Sequence, residues 1–168
     1  EPIAKRFAHE RTVFSYDSQF PLGQDWYQKA FKSYKAEDVS AILRQSPAFA
    51  NCSMEEIESI EHHFEMVKVK KSSVLFDENS ISDCVYFISH GAVDIVDQSH
   101  KENRVVIHLG ENTHFGELGV IKKKNRKYGA IASENALLLK IKGENFLQIL
   151  KRFDSINTYF NRYIISLK

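Results

Sequence analysis

The chain has 168 residues, 43% of them hydrophobic and 27% charged, with a formal net charge of +1. This is the profile of one soluble globular domain, long enough to bury roughly 70% of the surface that its unfolded chain would expose. No global field draws it to nucleic acid or membrane, no apolar run approaches the ~20 residues of a bilayer span, and no signal peptide is visible.

In chain order, residues 1–35 read as an N-terminal arm or linker containing a helix, with Pro2, Pro21 and Gly23 and no clean period in its first 23 residues. The opening Glu1-Pro2, without methionine, reads as part of a longer polypeptide. Residues 36–66 read as helices. Val39, Ile42 and Leu43 have helical spacing, and Pro47 stops that helix. Ser53-Met54-Glu55-Glu56 is a capping box, after which Met54, Ile57, Ile60 and Phe64 fall on one face. Residues 67–141 change period. Val67/Val69, Val85/Phe87, Val93/Ile95, Val105/Ile107 and Leu137/Leu139/Ile141 alternate. Between them stand turn signals such as Asp77-Glu78-Asn79-Ser80, His90-Gly91 and Gly110-Glu111-Asn112. Short strands at steady spacing predict an antiparallel sandwich or barrel. Residues 143–168 are helical again: Phe146, Ile149, Leu150 and Phe153 form one stripe. After a cap at Asp154 or Ser155, Ile156, Tyr159, Phe160, Tyr163, Ile164 and Leu167 form a second. The fold class is α+β, mainly β: an antiparallel β-roll or jelly roll flanked by N-terminal helices and two C-terminal helices.

One segment interrupts the strand pattern. In Phe115-Gly116-Glu117-Leu118-Gly119-Val120-Ile121, residues 117–121 fit a short helical turn. Gly116 lets the backbone approach a ligand without a Cβ in the way. Unpaired amides at 117–119 would form an anion site, and Arg126 could add a planar fork to the same anion. Glu117 has the wrong sign for an anion but suits a hydroxyl beside it. Together they describe a nucleotide whose phosphate lies close to a free ribose hydroxyl. The plainer alternative is that Glu117 and Arg126 form an ordinary surface ion pair.

These residues carry a resemblance. Phe115-Gly116-Glu117-Leu118 followed by Asn125-Arg126 resembles the phosphate-binding cassette of the cyclic nucleotide-binding domain family, and residues 76–79, 86–93 and 109–112 resemble its flanking blocks. About 125 residues, from near Ile42 to the C-terminus, are covered, and 36–168 read as that domain. The resemblance implies that Glu117 accepts from the ribose 2′-hydroxyl and Arg126 pairs with the cyclic phosphate. Amides near Gly116, Leu118, Gly119 and Lys127 complete the phosphate shell. It also implies that the last helix is a mobile lid with Tyr159 or Tyr163 over the purine. The ligand would be cyclic AMP, ahead of cyclic GMP, and the partner an effector outside these residues: kinase, channel, exchange factor or fused enzyme. Lys127 and Tyr128 stand where the family usually has small residues, Asn125 replaces a frequent proline and Gly119 a frequent alanine.

Other readings weigh against this one. A β-roll interaction module that has lost the nucleotide response would follow if Lys127 and Tyr128 altered the pocket. A cupin-like metal enzyme would need an H-x-H pair, a carboxylate and a distant histidine. The chain offers adjacent His62-His63 and the pair His108 and His114, so no metal is expected. Cys52 and Cys84 form no CxxC pair and read as free thiols of a cytoplasmic protein. Lys122, Lys123, Lys124 and Lys127 read as a solvated loop, and no nucleic-acid partner is expected. No nucleophile–base arrangement stands out, and neither an enzyme nor a cofactor is expected within these residues.

Overall fold

A computed structural model describes residues 39–166. The N-terminal arm predicted at 1–35 and Leu167 of the last apolar stripe lie outside the described residues. Helix α1 (Val39–Gln45) ends before Pro47, which opens a 3-10 turn, Pro47–Phe49. Helix α2 (Met54–Ile60) starts at the capping box: Ser53 accepts from the Glu56 amide, and Glu56 accepts in return from the Ser53 amide. A 3-10 turn, Glu61–His63, then leads into β1 (Phe64–Val69).

Two sequence expectations shift here. Phe64 opens the first strand instead of extending the helical face, so the sheet begins three residues before 67. Met54 is exposed, while Ile57 and Ile60 are buried. An N-terminal residue of a helix seldom reaches a core that lies under the following turns.

The remaining elements are β2 (Val74–Phe76), β3 (Cys84–His90), β4 (Val93–Asp97), β5 (Arg104–Leu109), β6 (His114–Phe115), α3 (Glu117–Lys122), β7 (Gly129–Ala132), β8 (Ala136–Lys142), α4 (Gly143–Arg152) and α5 (Asp154–Ser166). The strands form two antiparallel four-stranded sheets, ordered β1-β8-β3-β6 and β2-β7-β4-β5. The turns use residues that tolerate left-handed backbone: Asn79 at φ 68°, Asn112 at φ 67° and Gly91 at φ 90°. A Cβ on Gly91 would run into the backbone of Asn135 and Ala136, so glycine is required there twice over.

The first sheet is buried on both faces. Leu137, Leu139 and Ile141 of β8, with Val85 and Phe87 of β3, face a core shared with Phe49, Phe146, Ile156 and Phe160 of the helices. Their neighbours Ala136, Leu138, Cys84, Tyr86 and Ile88 face a second core inside the roll, with Val67, Val93 and Phe115. The period of two sends consecutive residues to opposite cores. A strand covered on both faces reads as a continuous apolar run, which is why β8 begins Ala-Leu-Leu-Leu. At the far edge of the second sheet β5 pairs, among the described residues, with β4 alone. Val105 and Ile107 lie in a strand as their alternation predicts, but they are 54% and 43% exposed, and Val106 between them is exposed as well.

Both C-terminal stripes pack as their spacing predicts. Phe146, Ile149, Leu150 and Phe153 are buried, as are Ile156, Phe160 and Ile164. Helix α5 begins at Asp154, directly after the extended Phe153, so Asp154 lies in its first turn.

Candidate functional site

The segment 115–128 is held between the two cores. Gly116 precedes α3 at φ +92°, a conformation in which a Cβ is strained, and a Cβ there would stand 3.0 Å from Arg126 Nη1 and 3.2 Å from the Cys84 carbonyl oxygen. Gly116 thus makes room for the guanidinium. Gly119 is explained likewise: a Cβ would overlap Ser82, whose hydroxyl donates to the Lys124 carbonyl at 2.6 Å. Alanine at 119 would require Ser82 to shift and give up this hydrogen bond. Lys123 closes α3 in the left-handed region at φ 55°, turning the chain into an exposed loop, 122–125.

Arg126 returns to the interior. Its amide donates to the Ser80 carbonyl at 2.8 Å, and its carbonyl accepts from the Asn79 amide at 2.7 Å, fixing it to the turn before β3. Its side chain is 4% exposed. Nη1 donates to the Gly116 carbonyl and Nη2 to the Cys84 carbonyl, each at 2.7 Å. The guanidinium carbon lies 4.0 Å from the centre of the Phe76 ring. Nε is buried with no hydrogen-bond partner, and no described carboxylate pairs with the cation. Burying a charge is costly unless it is paired.

Glu117 is also 4% exposed, but its surroundings differ. Its Oε1 accepts from His114 Nδ1 at 2.9 Å, and His114 Nε2 stands 2.9 Å from the Tyr159 hydroxyl on α5. The His114 ring packs against Phe87, Phe160 and Tyr163. Burial first, and then the Glu117 charge, push the Tyr159 and Tyr163 hydroxyls above the usual phenol range. The alternation across β6 explains the separation: His114 faces the helical core and Phe115 the roll, where it stacks on Tyr86 at 5.0 Å. Glu117 and Arg126 are therefore neither on the surface nor an ion pair.

Of the other predicted residues, Phe115 is core, and Leu118 and Gly119 are half-buried on α3. Lys127 is exposed, with Nζ 5.4 Å from the Tyr128 ring centre, and Tyr128 packs partly against the roll core. Tyr159 and Tyr163 are half-buried with stacked rings. Sequence reasoning missed two contributors, His114 and the Cys84 carbonyl. The former had a usable signal, a titratable side chain three residues before Glu117. The latter, a backbone acceptor, had none. Among the described residues no group of three or more His, Cys, Asp or Glu stands together as a metal site, and no helix is long and apolar enough to cross a membrane.

Known proteins share parts of this sequence and this fold. Over 119 residues the chain is 22% identical to the potassium/sodium hyperpolarization-activated cyclic nucleotide-gated channel 4 of Homo sapiens, an alignment spanning 71% of this chain and only 10% of the channel. Its fold is similar to that of the regulatory domain of Toxoplasma gondii protein kinase A co-crystallised with cAMP (TM-score 0.61, 22% identity, 69% of this chain and 46% of that one). It is similar as well to the regulatory subunit of a cAMP-independent protein kinase A from Trypanosoma brucei (TM-score 0.66, 17% identity, 76% of this chain and 50% of that one). The family model of the cyclic nucleotide-binding domain matches residues 66–153, just over half of the chain and all of the roll beyond the first two residues of β1. On that match, the chain belongs to the cyclic nucleotide-binding domain family.

Proposed function

We propose that residues 36–168 form a regulatory domain that captures a 3′,5′-cyclic nucleotide and relays its presence through the C-terminal helices. The observation that carries this reading is Arg126: a buried guanidinium with an unpartnered Nε and no carboxylate. A singly charged cyclic phosphate supplies the missing anion, and the amides around Gly116, Leu118, Gly119 and Lys127 stand on the same segment to share it. Glu117 then accepts from the ribose 2′-hydroxyl. Phe115 supports the segment from the roll core, and Tyr128 packs partly against the same core.

Cyclic AMP is favoured over cyclic GMP because Lys127, directly after Arg126, offers no hydroxyl to a guanine edge and is exposed. Drawing the segment inward alters the surface on which α4 and α5 rest, with Tyr159 or Tyr163 as the lid. The mechanism is a shift between helix positions, driven by the ligand's differential affinity for them. The effector lies outside these residues, with a channel, a kinase, an exchange factor or a fused enzyme as the candidates. The cytoplasm is the proposed compartment.

One observation favours a second reading, an interaction module without nucleotide response: both Nη groups of Arg126 are already engaged by backbone carbonyls. Calorimetric titration with cyclic AMP, cyclic GMP and a non-cyclic nucleotide separates the two. Binding of a cyclic nucleotide alone, with a loss of more than ~2 kcal/mol in Arg126→Ala, supports capture. No heat with either cyclic nucleotide selects the interaction module.

A further inference from the structure

A single buried side chain, His114, connects the Glu117 carboxylate to Tyr159 of the last helix. His114 is 3% exposed and stands between Glu117 Oε1 and the Tyr159 hydroxyl, 2.9 Å from each. One arrangement of protons satisfies every member without a second charge. Tyr159 O–H donates to Nε2, and Nδ1–H donates to Oε1. The other carboxylate oxygen, Oε2, has no hydrogen bond to a described residue.

A glutamate side chain has three rotatable bonds, and aiming it at one hydroxyl costs conformational entropy unless something already holds it. We infer that His114 is a positioning residue for nucleotide recognition. It fixes Glu117 by one oxygen so that the other faces the ribose hydroxyl, and it ties that carboxylate to α5 through Tyr159. This role rests on the proposed capture of a cyclic nucleotide and adds the means by which the sugar is read. It also gives α5 a direct hydrogen-bonded connection to the ribose acceptor, separate from the packing of its apolar stripe.

The geometry dictates the test. Asparagine at 114 can place its amide nitrogen near the position of Nδ1 and keep the donor to Glu117. Glutamine places its amide near Nε2 and loses it. The unsubstituted chain, His114→Asn and His114→Gln are titrated with whichever of cyclic AMP or cyclic GMP binds more tightly, and with the 2′-deoxy form of that nucleotide. His114→Gln should weaken binding of the ribose form about tenfold and leave the 2′-deoxy form within about twofold, while His114→Asn retains the preference for the hydroxyl. Tyr159→Phe, which keeps the ring and removes only the hydroxyl, should give a smaller loss with the same selectivity. It serves as the measurement if both substitutions at 114 fail to fold. Equal weakening of ribose and 2′-deoxy forms, or identical behaviour of the Asn and Gln variants, overturns the positioning role and leaves nucleotide capture standing. An unsubstituted chain that binds neither form overturns capture and this role together.

Discussion

The two charged residues of the 115–128 segment that turn inward meet opposite fates. Arg126 enters the roll and is met by carbonyl dipoles and the face of Phe76, with no full negative charge. Glu117 enters the helical side and is met by a histidine that is itself held by α5. One charge is left needing a partner, and the other is already part of a network. The roll side thus holds a cation without a carboxylate, and the helical side ties its carboxylate to α5.

The contrast can be broken or sharpened by substitution. The largest effect belongs to the helical core, where Phe160 is fully buried against Phe146 and His114. Phe160→Ala should cost about 3–5 kcal/mol of stability by denaturant unfolding. Glu117→Leu should cost about 2 kcal/mol, since it strands the His114 donor in an apolar site. Arg126→Met tests the other side. Removing an unpaired buried cation should change the stability of the ligand-free domain by no more than about 1 kcal/mol in either direction, while abolishing nucleotide binding. If Arg126→Met instead destabilises as strongly as Glu117→Leu, the two sites do not differ in the way described.

The smallest effect concerns the thiols. Burial pushes Cys84 above the usual thiol range, with Tyr86, Lys140 and Arg126 lowering it only in part. Burial also raises the half-exposed Cys52, against a lowering hydrogen bond from Ser155. A raised value means less thiolate at a given pH, so both should alkylate more slowly at pH 8 than after unfolding, and faster as pH rises. Cys52, the more open of the two, should label first. Mass-resolved iodoacetamide labelling reads both rates.

Much of this was legible in the sequence, and the exceptions have physical causes. Capping residues, helix stripes and turn asparagines act locally, so Ser53, Phe146 and Asn79 announce themselves. The segment around Gly116 stood out too, because it interrupts the period of two that the strands on either side keep. What stayed hidden depends on register. Whether Glu117 and Arg126 pair with each other or find separate partners is decided by which face of β6 meets the helices, and a two-residue strand shows no periodicity. Phe64 misled because an aromatic four residues after Ile60 fits a helix as well as it begins a strand. Val105 and Ile107 marked their strand, but alternation does not reveal whether anything covers it.

Strand β8 carries a consequence of its own. Leu137 belongs to one core and Leu138 to the other, and neither side chain retains accessible surface. A rigid backbone common to both interiors transmits displacement on one face to the other without any jointed linkage. It also makes the two compartments melt as one, so that heating the protein should give a single sharp loss of structure by every spectroscopic signal.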